Sequence, residues 1–158
     1  MLRQSKFTQQ AVAAVSRLAE VHKDGDAWLS AADIAESRNL RKPASAKVLS
    51  VLAQEGLVVG FPGPGGGYRL SRPPAQISLW DVVQLFDREP TMSCPYGPGW
   101  CGNGDPCPLH DSLVELHSTV EAYLRAKTFD VFASGSRPGT APSKKPVARA
   151  TGAKRRSR

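Results

Sequence analysis

The sequence predicts a mainly α-helical fold that carries one small β-hairpin, and three observations lead there. Apolar residues recur at helical spacing in five stretches, a glycine- and proline-rich run separates two short β-prone segments, and a long amphipathic stretch follows a block in which all three cysteines fall within fourteen residues. At 158 residues and 17.0 kDa the chain has room for one compact domain with accessories, so a two-domain enzyme is not expected. Its longest apolar runs fall far short of the ~20 residues that span a bilayer. Met1 to Lys6 is polar and lacks the apolar core of a secretory signal, and three cysteines do not make an even disulfide framework, so a cytoplasmic protein is expected.

The elements follow in order. Phe7, Ala11, Val15, Leu18 and His22 mark a helix over Thr8 to Val21, which Lys23-Asp24-Gly25-Asp26 ends. Ser30 followed by Asp33 has the form of a capping box, and Ile34, Ala35 and Leu40 mark a short second helix. Asn39 to Lys42 is the expected turn. Pro43 suits a first helical position, Val48, Leu49, Val51 and Leu52 fill the third helix, and Gly56 suits a left-handed stop. Two short helices joined by a tight turn predict a helix-turn-helix. Leu57 to Phe61 and Tyr68 to Leu70 then flank Pro62 to Gly67 as a hairpin with a glycine-rich tip, and Ser78 caps a fourth helix through Leu79, Val82, Val83 and Phe86.

Helix, helix-turn-helix and hairpin in that order are the parts of a winged helix-turn-helix, whose third helix enters the major groove while the wing lies against backbone or minor groove. No strand-to-helix Gly-Lys-Ser context follows the glycines, so a nucleotide-phosphate loop is not expected. The wing places Gly65, Gly66, Tyr68 and Arg69 as DNA-binding candidates, the glycines admitting close approach to phosphate and Arg69 supplying a cation.

On Gly63-Pro64-Gly65-Gly66-Gly67-Tyr68-Arg69-Leu70, Ser71-Arg72-Pro73 and Ile77 to Val83, the chain resembles the Rrf-type winged-helix regulators of bacteria, which include an iron-sulfur assembly repressor and a nitric-oxide sensor. The resemblance runs from about Lys6 to Phe132. It implies a homodimer on a palindromic operator of double-stranded DNA. It places base readers at Pro43, Ala46 and Lys47, and phosphate contacts at Lys42 and Ser45. Pro43 and Ala46 cannot donate to a base edge, so readout would rest on Lys47, methyl contacts and DNA shape.

Cys94, Cys101 and Cys107 are spaced C-x6-C-x5-C, and His110 follows the last by three positions. Three thiols and an imidazole make four metal ligands. The spacing lacks the C-x2-C knuckle of zinc ribbons, which makes an iron-sulfur cluster the sharper reading. Pro108 suits a first helical residue, which would set Cys107 at a helix N-terminus that favours thiolate. By the family resemblance these are cluster cysteines, and His110 matches the fourth ligand of the assembly-repressor branch, which holds a [2Fe-2S] cluster. The sensor branch takes an aspartate from the partner's first helix, where Lys6 to Gln10 here offers only amides. A [2Fe-2S] cluster is therefore preferred to a [4Fe-4S] one.

Leu109, Leu113, Leu116, Val120 and Tyr123 alternate at four- and three-residue spacing, the seam of a coiled coil, expected between two subunits; folding back onto the chain's own core is the alternative. Phe129, Val131 and Phe132 are expected to close the helix end. The net charge of +7 belongs to the end of the chain: residues 134–158 carry eight basic residues and no acid, leaving thirteen basic against fourteen acidic in residues 1–133. That basic stretch, rich in Pro, Gly, Ser and Ala, is expected to be disordered and to hold polyanions without specificity. The expected organisation is a winged helix-turn-helix (1–88), a cysteine-rich cluster loop (89–107), a dimerisation helix (108–133) and a basic tail (134–158).

The functional expectation is a DNA-binding transcriptional regulator, a repressor in the leading reading, whose operator affinity follows an iron-sulfur cluster that senses redox, nitric oxide or iron-sulfur status. A zinc-stabilised winged helix used for protein contacts is the alternative. With no C-x2-C redox pair, Ser-His-Asp set or paired carboxylates in a cleft motif, no enzyme is expected.

Overall fold

The computed structural model describes residues 4–22, 27–87 and 108–133. The elements run α1 (Lys6–Val21), α2 (Ala31–Ser37), α3 (Lys42–Gln54), β1 (Val58–Phe61), β2 (Gly67–Leu70), α4 (Leu79–Phe86), α5 (His110–Ala126) and α6 (Asp130–Ala133). Helix α1 starts two residues before the expected Thr8 because Ser5 caps it, its Oγ accepting from the Thr8 amide at 3.1 Å. Ser30 and Ser78 cap α2 and α4 in full capping boxes: each hydroxyl takes the amide three residues on, and Asp33 and Asp81 return a carboxylate to the serine amide.

Both ends that shape the reading unit are local. Asn39 takes φ 52° and the Leu40 amide reaches the Ala35 carbonyl at 2.7 Å, so α2 turns sharply into α3. Gly56 at φ 71° closes α3 in the same way, with the Leu57 amide on the Leu52 carbonyl at 2.9 Å. Chain reversal there starts β1, which pairs antiparallel with β2 in the register Val58 with Leu70, Val59 with Arg69, Gly60 with Tyr68 and Phe61 with Gly67.

The core gathers Ala11, Ala14, Val15, Leu18 and Ala19 of α1 with Ile34, Val48, Leu49, Leu52, Val58, Leu70, Ile77 and Val82. The expected helical stripe is thus the buried face of α1 at Ala11, Val15 and Leu18, but not at its two ends, where Phe7 and His22 are exposed. Phe7 is 43% exposed and lies outside the core, while its neighbour Thr8 is fully buried.

The long helix departs from expectation at both ends. It begins at His110, with Pro108 and Leu109 in a turn before it, and it stops at Ala126. There the chain turns extended and bridges to the start of α4: the Leu79 amide donates to the Lys127 carbonyl at 2.8 Å and the Phe129 amide to the Ile77 carbonyl at 2.9 Å. These bonds engage backbone groups at the helix end, and they seat Phe129 fully buried in the core. Phe132 packs partly against that core, with ring centroids 5.7 Å from Phe129, whereas Val131 is 54% exposed and takes no part.

Candidate nucleic-acid interface

Helix α3 buries Ser45, Val48, Leu49 and Leu52, which turns the opposite face outward with Lys42, Pro43, Ala46 and Lys47 all exposed. Pro43 lies in its first turn as expected. Ser45 is a correction. It is fully buried and its Oγ donates at 3.2 Å to the Arg41 carbonyl, which also accepts the Ser45 amide at 3.0 Å, so its hydroxyl is not offered to a phosphate; a serine with the core behind it bonds back to the carbonyl one turn earlier.

The wing is built on three segments. Leu29, just before α2, pairs with Tyr68 through amide to carbonyl bonds of 3.1 and 2.8 Å, adding a bridge to the outer edge of β2. Close approach explains two of the glycines. A Cβ on Gly67 would sit 2.5 Å from the Leu29 carbonyl oxygen, and one on Gly66 would sit 2.1 Å from that of Phe61. Gly66 therefore packs against protein backbone, while Gly65 faces open space at the tip with φ 79°. Tyr68 is half-buried: its ring packs partly against the core and borders Gly60. Arg69 lies on the other face of β2.

Two aromatic residues on this surface escaped the sequence reading. The Lys47 Nζ lies over the Phe7 ring, 5.5 Å from its centroid. The Arg69 guanidinium lies over the Trp28 ring at 4.6 Å, and Trp28 in turn meets Phe61 with centroids 5.7 Å apart. Phe7 was absorbed into a helical stripe, and Trp28 stands in a connector; a lone tryptophan in a polar connector was the available signal.

Behind the reading helices an ion-pair cluster ties α2 to α1. Arg38 donates to Glu20 Oε1 at 2.6 Å, to Ser16 Oγ at 3.1 Å and to the Ala13 carbonyl at 3.3 Å, and Arg17 donates to Glu20 Oε2 at 3.0 Å. Burial pushes the Glu20 carboxyl up, but the Arg38 and Arg17 hydrogen bonds outweigh it and hold the group below the usual glutamate range.

Cys94, Cys101 and Cys107 lie outside the described residues, as do the cysteine loop and the basic tail. Of the predicted ligand set only His110 is described, as the exposed first residue of α5. No group of three or more His, Cys, Asp or Glu that could hold a metal occurs among the described residues. Asp87, just after α4, closes onto α1: its carboxylate accepts from the Thr8 hydroxyl at 2.7 Å and the Ser5 amide at 3.2 Å. Past His110, α5 leaves its seam largely uncovered. Leu109, Leu116 and Tyr123 are 42%, 45% and 57% exposed, and Leu113 and Val120 are half-buried. Only Leu124 is buried, against a floor where Arg125 stacks over Trp80 at 4.4 Å. Among the described residues no helix is long and apolar enough to cross a membrane.

Comparisons agree with this arrangement. Residues 4–134 match the family described as "Rrf2: Iron-dependent Transcriptional regulator". A protein of Aquifex aeolicus (strain VF5) with the provisional description of an HTH-type transcriptional regulator is 30% identical over 118 residues, which is 73% of this chain and 82% of the relative. The HTH-type transcriptional regulator IscR of Escherichia coli O1:K1 / APEC is 28% identical over 120 residues, 75% of this chain and 74% of its own length. Among solved structures, CymR (YrzC), the global cysteine regulator of B. subtilis, superposes with a TM-score of 0.71 at 24% identity over 85% of this chain and 98% of that one. T. potens IscR does so with a TM-score of 0.66, also at 24% identity, over 90% and 94%. These two likenesses establish the winged-helix fold, and the family match spans the whole reading unit and α5. The chain belongs to the Rrf2 family of DNA-binding helix-turn-helix transcriptional regulators, and it is not an enzyme.

Proposed function

We propose that the protein binds a palindromic operator as a homodimer and that an iron-sulfur cluster held by Cys94, Cys101, Cys107 and His110 sets its operator affinity. One observation carries the reading: His110 opens the same helix that bears the uncovered seam. Its imidazole is exposed, so it is accessible to a metal, and a donor set of three thiolates and one imidazole suits a [2Fe-2S] cluster better than a [4Fe-4S] one. When bound, the cluster supplies a redox-active, oxidation-sensitive centre. The chain's own part is mechanical. Any change in what holds His110 acts on the first turn of α5, and through the seam on the spacing of two α3 helices set about one DNA turn apart. Only a difference in DNA affinity between the cluster states can carry a signal, whether of redox, nitric oxide or iron-sulfur status, and repression follows where the tight-binding state covers a promoter. Within each head, Lys42, Pro43, Ala46 and Lys47 of α3 face the groove, with Gly65 and Arg69 of the wing on the backbone.

The test is anaerobic purification with a visible spectrum and an iron-to-sulfide ratio. Cys94→Ala, Cys101→Ala and Cys107→Ala are each expected to abolish the chromophore, and His110→Ala to leave it labile. An unchanged, equally stable chromophore in His110→Ala would remove His110 from the ligand set. A colourless protein carrying zinc would support the second reading, a zinc-stabilised protein-interaction module, which the near-neutral charge of residues 1–133 favours.

A further inference from the structure

We infer that Phe7 and Trp28 are positioning residues of the reading surface, each holding a cation that its neighbouring element offers to DNA. The inference rests on the proposed placement of Lys47 and Arg69 at the nucleic acid. Neither ring belongs to the helix-turn-helix or the hairpin: Phe7 opens α1, and Trp28 stands in the segment that leads into α2.

The seating is specific. Lys47 is exposed on α3 and, among the described residues, has no carboxylate partner; the group under its Nζ is the Phe7 ring at 5.5 Å. Arg17 and Arg38 instead meet Glu20, and Arg72 meets Asp81, while Arg125 meets both Glu121 and the Trp80 ring and Lys127 lies over Tyr123. Phe7 is 43% exposed and adds nothing to the core, so packing does not account for an aromatic residue there. Trp28 is aligned by the Leu29–Tyr68 backbone pair, which in an antiparallel register brings the preceding residue opposite Arg69. The Arg69 guanidinium then lies over the indole at 4.6 Å, and Phe61 meets the indole in a tilted contact with centroids 5.7 Å apart.

An aromatic face suits a cation that must still reach phosphate or a base edge. At Lys47 the ring attracts the cation through its quadrupole and leaves the net charge in place, where a carboxylate partner would neutralise it; at Arg69 the indole restricts where the guanidinium can lie. A guanidinium uses its face for stacking, while its N–H donors point outward in its own plane. Both side chains are long, so restricting them before binding lowers the ordering cost at the moment of contact. Loss of a ring should therefore weaken DNA binding only while its cation is present.

The test is a pair of double-mutant cycles on the full-length, anaerobically purified protein, with a duplex recovered from a random pool by in vitro selection as the probe. Dissociation constants are read by fluorescence anisotropy over a range of potassium chloride, and thermal melts verify that each variant is folded. Lys47→Ala and Arg69→Ala should each weaken binding and lower the salt slope by about one. Phe7→Leu should weaken it about threefold and Trp28→Leu about fivefold, with Phe7→Tyr and Trp28→Phe retaining most of the affinity. Neither leucine variant should lower affinity further when its cation is already alanine. Equal losses with and without the cation, at either pair, overturn the positioning role for that pair. If Lys47→Ala and Arg69→Ala both bind like wild type, the reading surface itself is misplaced and the inference falls with it. The ring-current shift of the Lys47 side-chain protons, present in wild type and lost in Phe7→Leu, then separates a misplaced surface from an absent seat.

Discussion

Helices α1 and α5 are nearly equal in length, sixteen and seventeen residues, and they are used in opposite ways. Seven residues of α1 are buried, among them Ala11, Ala14, Val15 and Leu18, whereas α5 buries Leu124 alone and leaves Val114, Leu116 and Tyr123 about half-exposed. Both carry an apolar stripe. The stripe of α1 meets α3, α4 and the wing within one chain, while that of α5 meets α4 at its C-terminal end and little else. Amphipathic periodicity therefore announces that a face will be covered and says nothing of who covers it.

The comparison can be broken most sharply in the head. Leu49→Ala empties a fully buried site of α3 and should cost about 2–5 kcal/mol in urea unfolding. A loss below about 1 kcal/mol would mean that the head does not rest on this core. On α5 the outcome should differ in kind: Leu116→Glu, at a site 45% exposed, should leave the helical circular dichroism of the fold in place while moving the sedimentation coefficient from dimer to monomer. Unchanged sedimentation at micromolar protein would assign the seam another role.

The α1–α2 clamp should show a smaller effect, in its pH dependence. Because Arg38 and Arg17 hold the folded Glu20 carboxyl below its ordinary value of 4.5, its contribution is fully present above that value and is lost as pH falls through the lower folded one. Glu20→Gln should be less stable at neutral pH, and its stability should fall less than wild type between pH 5 and 3 in thermal melts. Parallel curves would show that the carboxylate contributes no linkage. Smallest is the effect of removing residues 134–158 on operator discrimination. Binding to random duplex should weaken, since eight basic residues leave, while the preference for a selected site over random sequence stays the same in anisotropy titrations. A lost preference would give the tail a part in reading sequence.

The parts of the head that sequence determines are those written in neighbouring residues. Ser30 with Asp33, Ser78 with Asp81, Gly56 after Leu52, and the glycines between two β-prone runs each mark a boundary through bonds spanning three to six residues, so the winged helix was legible before any tertiary contact was known. The tertiary structure decided what depends on distant segments meeting. Ser45 turned inward because the core lies behind α3, and on α1 it is Thr8, bonded to Asp87, that is buried while Phe7 beside it stays exposed. Gly67 is needed because Leu29, thirty-eight residues earlier, lies 2.5 Å from where a Cβ would stand. Helix α5 ends at Ala126 because Lys127 and Phe129 find backbone partners at Leu79 and Ile77. Local bonds are specified by spacing along the chain; a burial face or a seat for a cation is specified by which surfaces the folded chain brings together, and spacing carries no record of that.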